Sequence, residues 1–112
     1  VNVGFVDRED QLILMKNSLA VIQPSFFEGW STVIEDAKLL GKPVLASNLD
    51  VHKEQLGKAG YFFDPKDSSE LMELLLKVSG NAITYNMDYR QNQMEFGKLF
   101  LKLINNYAHL TQ

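Results

Sequence analysis

Short apolar runs alternate along the chain with segments whose apolar residues recur at helical spacing. The runs predict buried strands at residues 1–6, 18–23, 44–47 and 61–63. The periodic segments predict helices at about 7–16, 32–40, 51–56, 67–79 and 88–109. Strands that alternate with helices imply βαβ crossovers and a parallel sheet. The fold class predicted is therefore α/β, a Rossmann-like doubly wound parallel sheet with a long C-terminal helix.

Capping residues mark where the predicted helices begin. Asp7 is the predicted N-cap of the first helix, and Asp67 that of the fourth. Thr32 and Glu35 fit the capping-box pattern, in which a hydroxyl at the N-cap is followed three residues later by a glutamate. Gly41 is expected to end the same helix.

The last helix carries an apolar stripe at helical spacing. Its members are Phe96, Phe100, Leu103 and Tyr107. We expect the stripe to pack on the body of the domain, with a part left exposed. An exposed aromatic patch would favour weak self-association.

Bulk composition limits the class of protein. The 112 residues fit a single domain, 1–112, and a hydrophobic content of 46% is ordinary for a globular protein. A net charge of −3 argues against a nucleic-acid partner, and the absence of cysteine excludes disulfides and thiolate metal sites. The chain opens at Val1 inside an apparent strand, so we expect it to be part of a larger protein. The expected localisation is cytoplasmic, with the inner face of the membrane as an alternative for the full-length protein.

The segment around residues 24–35 carries the candidate chemistry. Gly29 would let the backbone adopt positive φ and approach a ligand closely, and Ser31, Thr32 and Val33 would offer free N–H groups at a helix start. Together these groups predict an anion site suited to a diphosphate. The alternative is a plain strand-to-helix turn, which also favours glycine and serine.

Two glutamates and a tryptophan in this segment each have two interpretations. Glu35 either completes the capping box or accepts hydrogen bonds from ribose hydroxyls. Glu28 is either a solvated loop residue or a carboxylate that holds sugar hydroxyls and balances positive charge at an anomeric carbon. Trp30 either stacks on a base or sugar or fills the core beneath the loop.

Residues after the third predicted strand could line the same sheet edge as Glu28. They are Asp50, His52 and Glu54, but their spacing is not that of a metal site, so no metal is predicted. The chain also lacks G-x-G-x-x-G, the P-loop pattern and Asp-x-Asp. A phosphorelay receiver would need an aspartate where Ser47 and Asn48 stand.

The motifs at residues 24–29, P-S-F-F-E-G, and at residues 41–47, G-K-P-V-L-A-S, resemble the donor-binding signature of retaining GT-B glycosyltransferases of the family 4 type. The resemblance covers residues 4–67. It implies the later part of the second, donor-binding Rossmann-like domain of a two-domain, metal-independent enzyme without a cofactor, which takes a nucleotide diphosphate sugar donor. The acceptor would be a glycan or a lipid-linked molecule, held by an N-terminal domain outside this chain.

The same resemblance assigns roles to individual residues. Glu35 matches the glutamate that binds ribose, and Glu28 the catalytic one near the donor sugar. The loop and helix start around the diphosphate correspond to Gly29, Trp30, Ser31 and Thr32. The family usually has seven residues between its two glutamates, whereas this chain has six. This difference affects the role of Glu28 more than that of Glu35.

Two other functions remain open. A sugar-nucleotide 2-epimerase shares the fold but predicts an arginine- and threonine-rich stretch after Ser47, which residues 48–51 do not supply. A Rossmann-like binding or interaction module would keep the fold without chemistry. Because transfer needs donor and acceptor held together, this chain alone is expected to be inactive.

Overall fold

The computed structural model describes residues 1–83 and 89–110. The helices are α1 Arg8–Lys16, α2 Thr32–Leu39, α3 Asp50–Leu56, α4 Ser68–Ser79 and α5 Tyr89–Leu110. The strands are β1 Val21–Gln23, β2 Val44–Ser47 and β3 Tyr61–Phe63, and a short 3₁₀ turn, Gly57–Ala59, precedes β3.

The three strands form one parallel sheet in the order β1-β2-β3. Val21 is paired with Val44, and Leu45 with Tyr61. Because all strands run in the same direction, their carboxyl ends lie at one edge. The α/β class with a parallel sheet is therefore confirmed.

The core lies around the central strand β2, whose four residues are all buried. Ile34 and Ala37 of α2, Leu56 of α3 and Met15 of α1 pack in the same cluster. The apolar stripes of the sequence thus place α1, α2 and α3 against the sheet. Burial of such side chains contributes about 1.5–3 kcal/mol each.

The predicted strand at residues 1–6 is wrong. The segment is irregular, and its large side chains Val1, Val3 and Phe5 are exposed. Gly4 has a φ of +68°, and its N–H donates to the Asn2 side chain at 2.9 Å. This local turn interrupts the extended run, and within the described residues no strand pairs with it.

The predicted N-cap at Thr32 is also wrong, because α2 is capped by Ser31. The Ser31 hydroxyl accepts the Ile34 N–H at 3.3 Å, and Thr32 is the first helical residue. Glu35 therefore lies one position beyond the capping-box site, and its carboxylate instead accepts from the Lys38 amine and the Gln55 amide.

Other boundaries are confirmed. Asp7 caps α1 by accepting the Asp10 N–H at 2.9 Å, and Asp67 caps α4 by accepting the Ser69 N–H at 2.9 Å. Gly41 has a φ of +67° after α2, the left-handed conformation that glycine adopts readily at a helix end.

The apolar stripe of α5 is partly exposed. Phe100 is 53% exposed and Leu103 is 59% exposed, which agrees with the expectation that a part of the stripe is left uncovered, and α5 contacts α2. The side chains of Phe96 and Tyr107, and the predicted helix start at Asp88, lie outside the described residues. Self-association stays a prediction.

Among the described residues, no helix is both long and apolar enough to cross a membrane.

Candidate functional site

The candidate site lies at the carboxyl edge of β1 and β2. It is built by the loop 24–31, which joins β1 to α2, and by the first turns of α3 after β2. The Ser47 hydroxyl at the end of β2 donates to the Ser25 backbone oxygen at 2.6 Å and so ties the loop to the sheet. Open α/β sheets bind ligands at this kind of edge.

Glu28 is held from two sides. Its Oε1 accepts from the Gln23 side-chain amide at 2.8 Å, and its Oε2 lies 2.6 Å from His52 Nε2. The Glu28 side chain is 21% exposed, whereas that of His52 is completely buried. The interpretation of Glu28 as a loosely solvated loop residue is therefore wrong. The predicted neighbourhood of His52 and Glu28 is confirmed.

The surroundings of Glu28 also set its ionisation. Burial by itself raises the pKa of this carboxyl group, but hydrogen bonds from His52, Gln23, Ser25 and Ser31 together hold the pKa below its usual value of 4.5. Glu28 is thus a carboxylate with a fixed orientation and one face toward solvent.

This lowered pKa makes stability depend on pH in a defined direction. Since the folded-state pKa lies below the unfolded one, Glu28 contributes stability above about 4.5 that is lost as the pH falls through the folded-state pKa. We expect the difference in unfolding free energy between the native chain and Glu28→Gln to shrink as the pH drops below 4.5. Urea denaturation at a series of pH values measures it, with Glu54→Gln on the exposed face of α3 as control. A difference that is independent of pH would contradict the lowered pKa of Glu28.

The start of α2 offers fewer free donors than predicted. The Ser31 N–H donates to Gln55 Oε1 at 3.0 Å, so the prediction of a free N–H is wrong for this residue. Within the described part of the chain, no acceptor bonds the N–H groups of Thr32 and Val33. Two donors of the predicted anion site therefore remain available.

Gly29 lies in open space beside these donors. Its φ is not positive, which corrects the expectation of a left-handed conformation, and nothing lies within 4 Å of the position that a Cβ would take. The absence of a side chain at residue 29 leaves room next to the α2 N-terminus.

Trp30 does not fill the core. It is 58% exposed, and Phe26 and Phe27 of the same loop are 68% and 92% exposed. The interpretation of Trp30 as a plug beneath the loop is therefore wrong. The indole ring of Trp30 is therefore exposed at the candidate site.

Glu35 lies on the side of α2 that faces α3. Its Oε1 accepts from Gln55 Nε2 at 3.0 Å and from Lys38 Nζ at 3.2 Å, and its side chain is 27% exposed. The capping-box role is replaced by these contacts.

Asp50 and Glu54 are exposed on α3. Among the described residues, no group of three potential ligands could hold a metal ion.

Sequence reasoning missed Gln55. This buried side chain accepts the Ser31 N–H and donates to the Ser31 backbone oxygen at 2.9 Å, besides its bond to Glu35. It stands three residues after His52, so the two side chains lie on one face of α3. That spacing was the available signal.

The comparisons with known proteins agree with this geometry. The chain belongs to the family Glycosyl transferases group 1, whose model matches residues 2–98. It is 33% identical over 75 residues to the O-antigen chain mannosyltransferase B of Escherichia coli, a match that covers 67% of this chain and 20% of that protein. The match thus spans about a fifth of the relative's length. No solved structure matches.

Asp36 was also missed. Its two oxygens accept from the Arg8 guanidinium at 2.5 and 2.7 Å, and its side chain is 11% exposed. Seven residues separate it from Glu28, which is the usual interval between the paired glutamates of the resembled family. Both Glu35 and Asp36 are therefore candidates for the second carboxylate.

Proposed function

We propose that this chain is the donor-binding part of a retaining, metal-independent glycosyltransferase that moves a sugar from a nucleotide diphosphate to a glycan or lipid-linked acceptor. The observation that carries the proposal is the fixed, partly exposed carboxylate of Glu28 at the carboxyl edge of the sheet. A carboxylate there can accept hydrogen bonds from sugar hydroxyls and stabilise positive charge on the anomeric carbon.

The diphosphate would bind at the N-terminus of α2. The N–H groups of Thr32 and Val33 and the positive end of the helix dipole supply attraction for an anion. Gly29 leaves room for the phosphate oxygens, and the Ser31 side chain orients the helix start. Trp30 would stack on the base or the sugar from the exposed side of the loop.

The acceptor would be held by a further domain of the full-length protein. The relative named as an O-antigen chain mannosyltransferase favours a role in polysaccharide biosynthesis. A cytoplasmic location, at or near the inner face of the membrane, would suit a lipid-linked acceptor.

Glu35 and Asp36 are both candidates for the carboxylate that binds the ribose, and we propose that Glu35 makes this contact. We expect Glu35→Gln to keep the fold, because a glutamine oxygen can still accept from Gln55. The affinity for nucleoside diphosphates should fall about 5- to 30-fold, the equivalent of roughly 1–2 kcal/mol for one charged hydrogen bond. Chemical-shift titration with UDP, GDP, ADP and CDP measures it, with Asp36→Asn and, on the exposed side of α4, Glu73→Gln in parallel.

The outcomes separate the possibilities. A loss of nucleotide affinity confined to Asp36→Asn would indicate that Asp36, and not Glu35, contacts the ribose. No shift at residues 28–35 with any nucleotide at millimolar concentration would argue against a donor site altogether. An equal loss in Glu73→Gln would indicate a general charge effect.

A further inference from the structure

His52 is a buried histidine whose two ring nitrogens both have oxygen partners. Its Nδ1 lies 2.8 Å from the Ser47 backbone oxygen and 3.2 Å from the Ser47 hydroxyl, and its Nε2 lies 2.6 Å from Glu28 Oε2. No part of the side chain is exposed. The ring thus connects the end of β2 to the loop that carries Glu28.

These partners determine where the ring protons lie. A carbonyl oxygen can only accept, so Nδ1 must donate to Ser47. The Ser47 hydroxyl hydrogen is already directed to the Ser25 oxygen at 2.6 Å and cannot supply the Nδ1 bond. A contact of 2.6 Å between Nε2 and Glu28 Oε2 also requires a proton between the two atoms. Because the pKa of Glu28 is held below its usual value, that group is a carboxylate and the proton lies on Nε2. Both nitrogens therefore donate, which makes the ring an imidazolium beside a carboxylate.

We propose that His52 is a positioning residue for the donor site: its buried imidazolium keeps Glu28 ionised and directs the second face of that carboxylate toward the donor sugar. This rests on the proposed function of Glu28. Gln23 fixes one carboxylate oxygen and His52 the other, so the group cannot rotate freely. A carboxylate fixed before the reaction needs no reorganisation when charge develops on the sugar.

The effect should appear in chemistry more than in stability. Pairing within a buried or half-buried ion pair is largely offset by the desolvation of its two charges. Glu28 also keeps contact with solvent, so water can replace a lost partner. A neutral side chain at residue 52 should therefore leave the chain folded, but Glu28 should lose the charged partner of its Oε2.

The first test observes the ring directly. The chain contains two histidines, and His109 is exposed near the end of α5, so His109→Gln leaves His52 as the only imidazole. At neutral pH, ¹⁵N NMR of this variant should show two protonated ring nitrogens. Adding Glu28→Gln should leave one. A single protonated nitrogen that does not respond to Glu28→Gln would overturn the proposal, whether or not the chain binds a donor.

The second test is a double-mutant cycle in the full-length transferase. His52→Gln keeps a neutral N–H donor, and His52→Leu removes it, so kcat should fall for Gln and further for Leu, with nucleoside diphosphate affinity unchanged. In the Glu28→Gln background neither change should lower kcat again, because His52 acts through Glu28. His109→Gln is the matched control and should retain full turnover.

The results distinguish this proposal from the function on which it rests. If Glu28→Gln lowers kcat while His52→Gln and His52→Leu do not, the positioning role is wrong and the donor site stands. If losses from residues 28 and 52 are additive, His52 acts by another route and the proposal fails. If the ring is doubly protonated but Glu28→Gln leaves kcat intact, the ion pair exists and the catalytic role of Glu28 is wrong.

Discussion

Replacing Glu28 with glutamine should lower kcat for sugar transfer by the full-length enzyme roughly 100-fold, the usual scale for losing one preorganised electrostatic contact in an active site. Glutamine preserves the size of the side chain and one acceptor oxygen, so the change removes mainly the negative charge. That charge is proposed to stabilise the anomeric carbon in the transition state, and the affinity for the nucleoside diphosphate should be nearly unchanged. Steady-state kinetics with the donor sugar, set beside nucleotide titration, measure the two effects separately.

The control for this variant is Glu54→Gln, which removes a carboxylate from the exposed face of α3. It should behave like the native enzyme. An equal loss of kcat and of nucleotide affinity in Glu28→Gln would show that Glu28 contacts the nucleotide instead of the sugar. Full activity of Glu28→Gln would show that Glu28 has no catalytic role.

Gln55→Met should lower the free energy of unfolding by roughly 1–3 kcal/mol, because it leaves the buried Ser31 N–H without a partner and leaves the Ser31 C=O with only the long bond from the Glu35 N–H at 3.4 Å. The Gln55 amide now satisfies both the N–H and the C=O of Ser31, a residue that is 2% exposed, and methionine of similar length can do neither. The same change removes the Gln55 hydrogen bond to Glu35 and should weaken nucleotide binding. Urea denaturation of the 112-residue chain measures the stability loss.

Lys53→Met on the exposed side of α3 is the matched control, since it introduces the same side chain where no backbone group depends on it. A loss below about 0.5 kcal/mol, the usual range for exposed positions, is expected there. If Gln55→Met were equally mild, water would have replaced the amide, and α3 would not hold the start of α2.

The elements of the sheet could be predicted because they depend on local apolar patterns. β2 is a four-residue run that is buried on both faces, as parallel strands require, and α2 shows its buried stripe in the sequence. Residues 1–6 have the same apolar character, but a strand also needs a neighbour. Composition cannot supply that information.

The candidate site was predictable only in part. That Glu28 and His52 share one sheet edge follows from their positions after two parallel strands. That their side chains meet at 2.6 Å does not, because the contact joins residues 24 apart in the chain. The N-cap shows the same limit: Ser31 and Thr32 are both suitable, and the bond from Ser31 to Gln55 holds Ser31 in the extended conformation of a cap.

The exposure of Trp30 gives the protein a built-in optical reporter. It is the single tryptophan of the chain, and it stands in the loop between Glu28 and the start of α2. Its indole should emit at the long wavelengths typical of a hydrated ring and be accessible to iodide. A nucleotide that stacks on the ring would quench this fluorescence, whereas one that binds elsewhere would not. If Trp30 stacks on the donor as proposed, donor binding can be followed in unlabelled protein, at concentrations far below those that NMR requires.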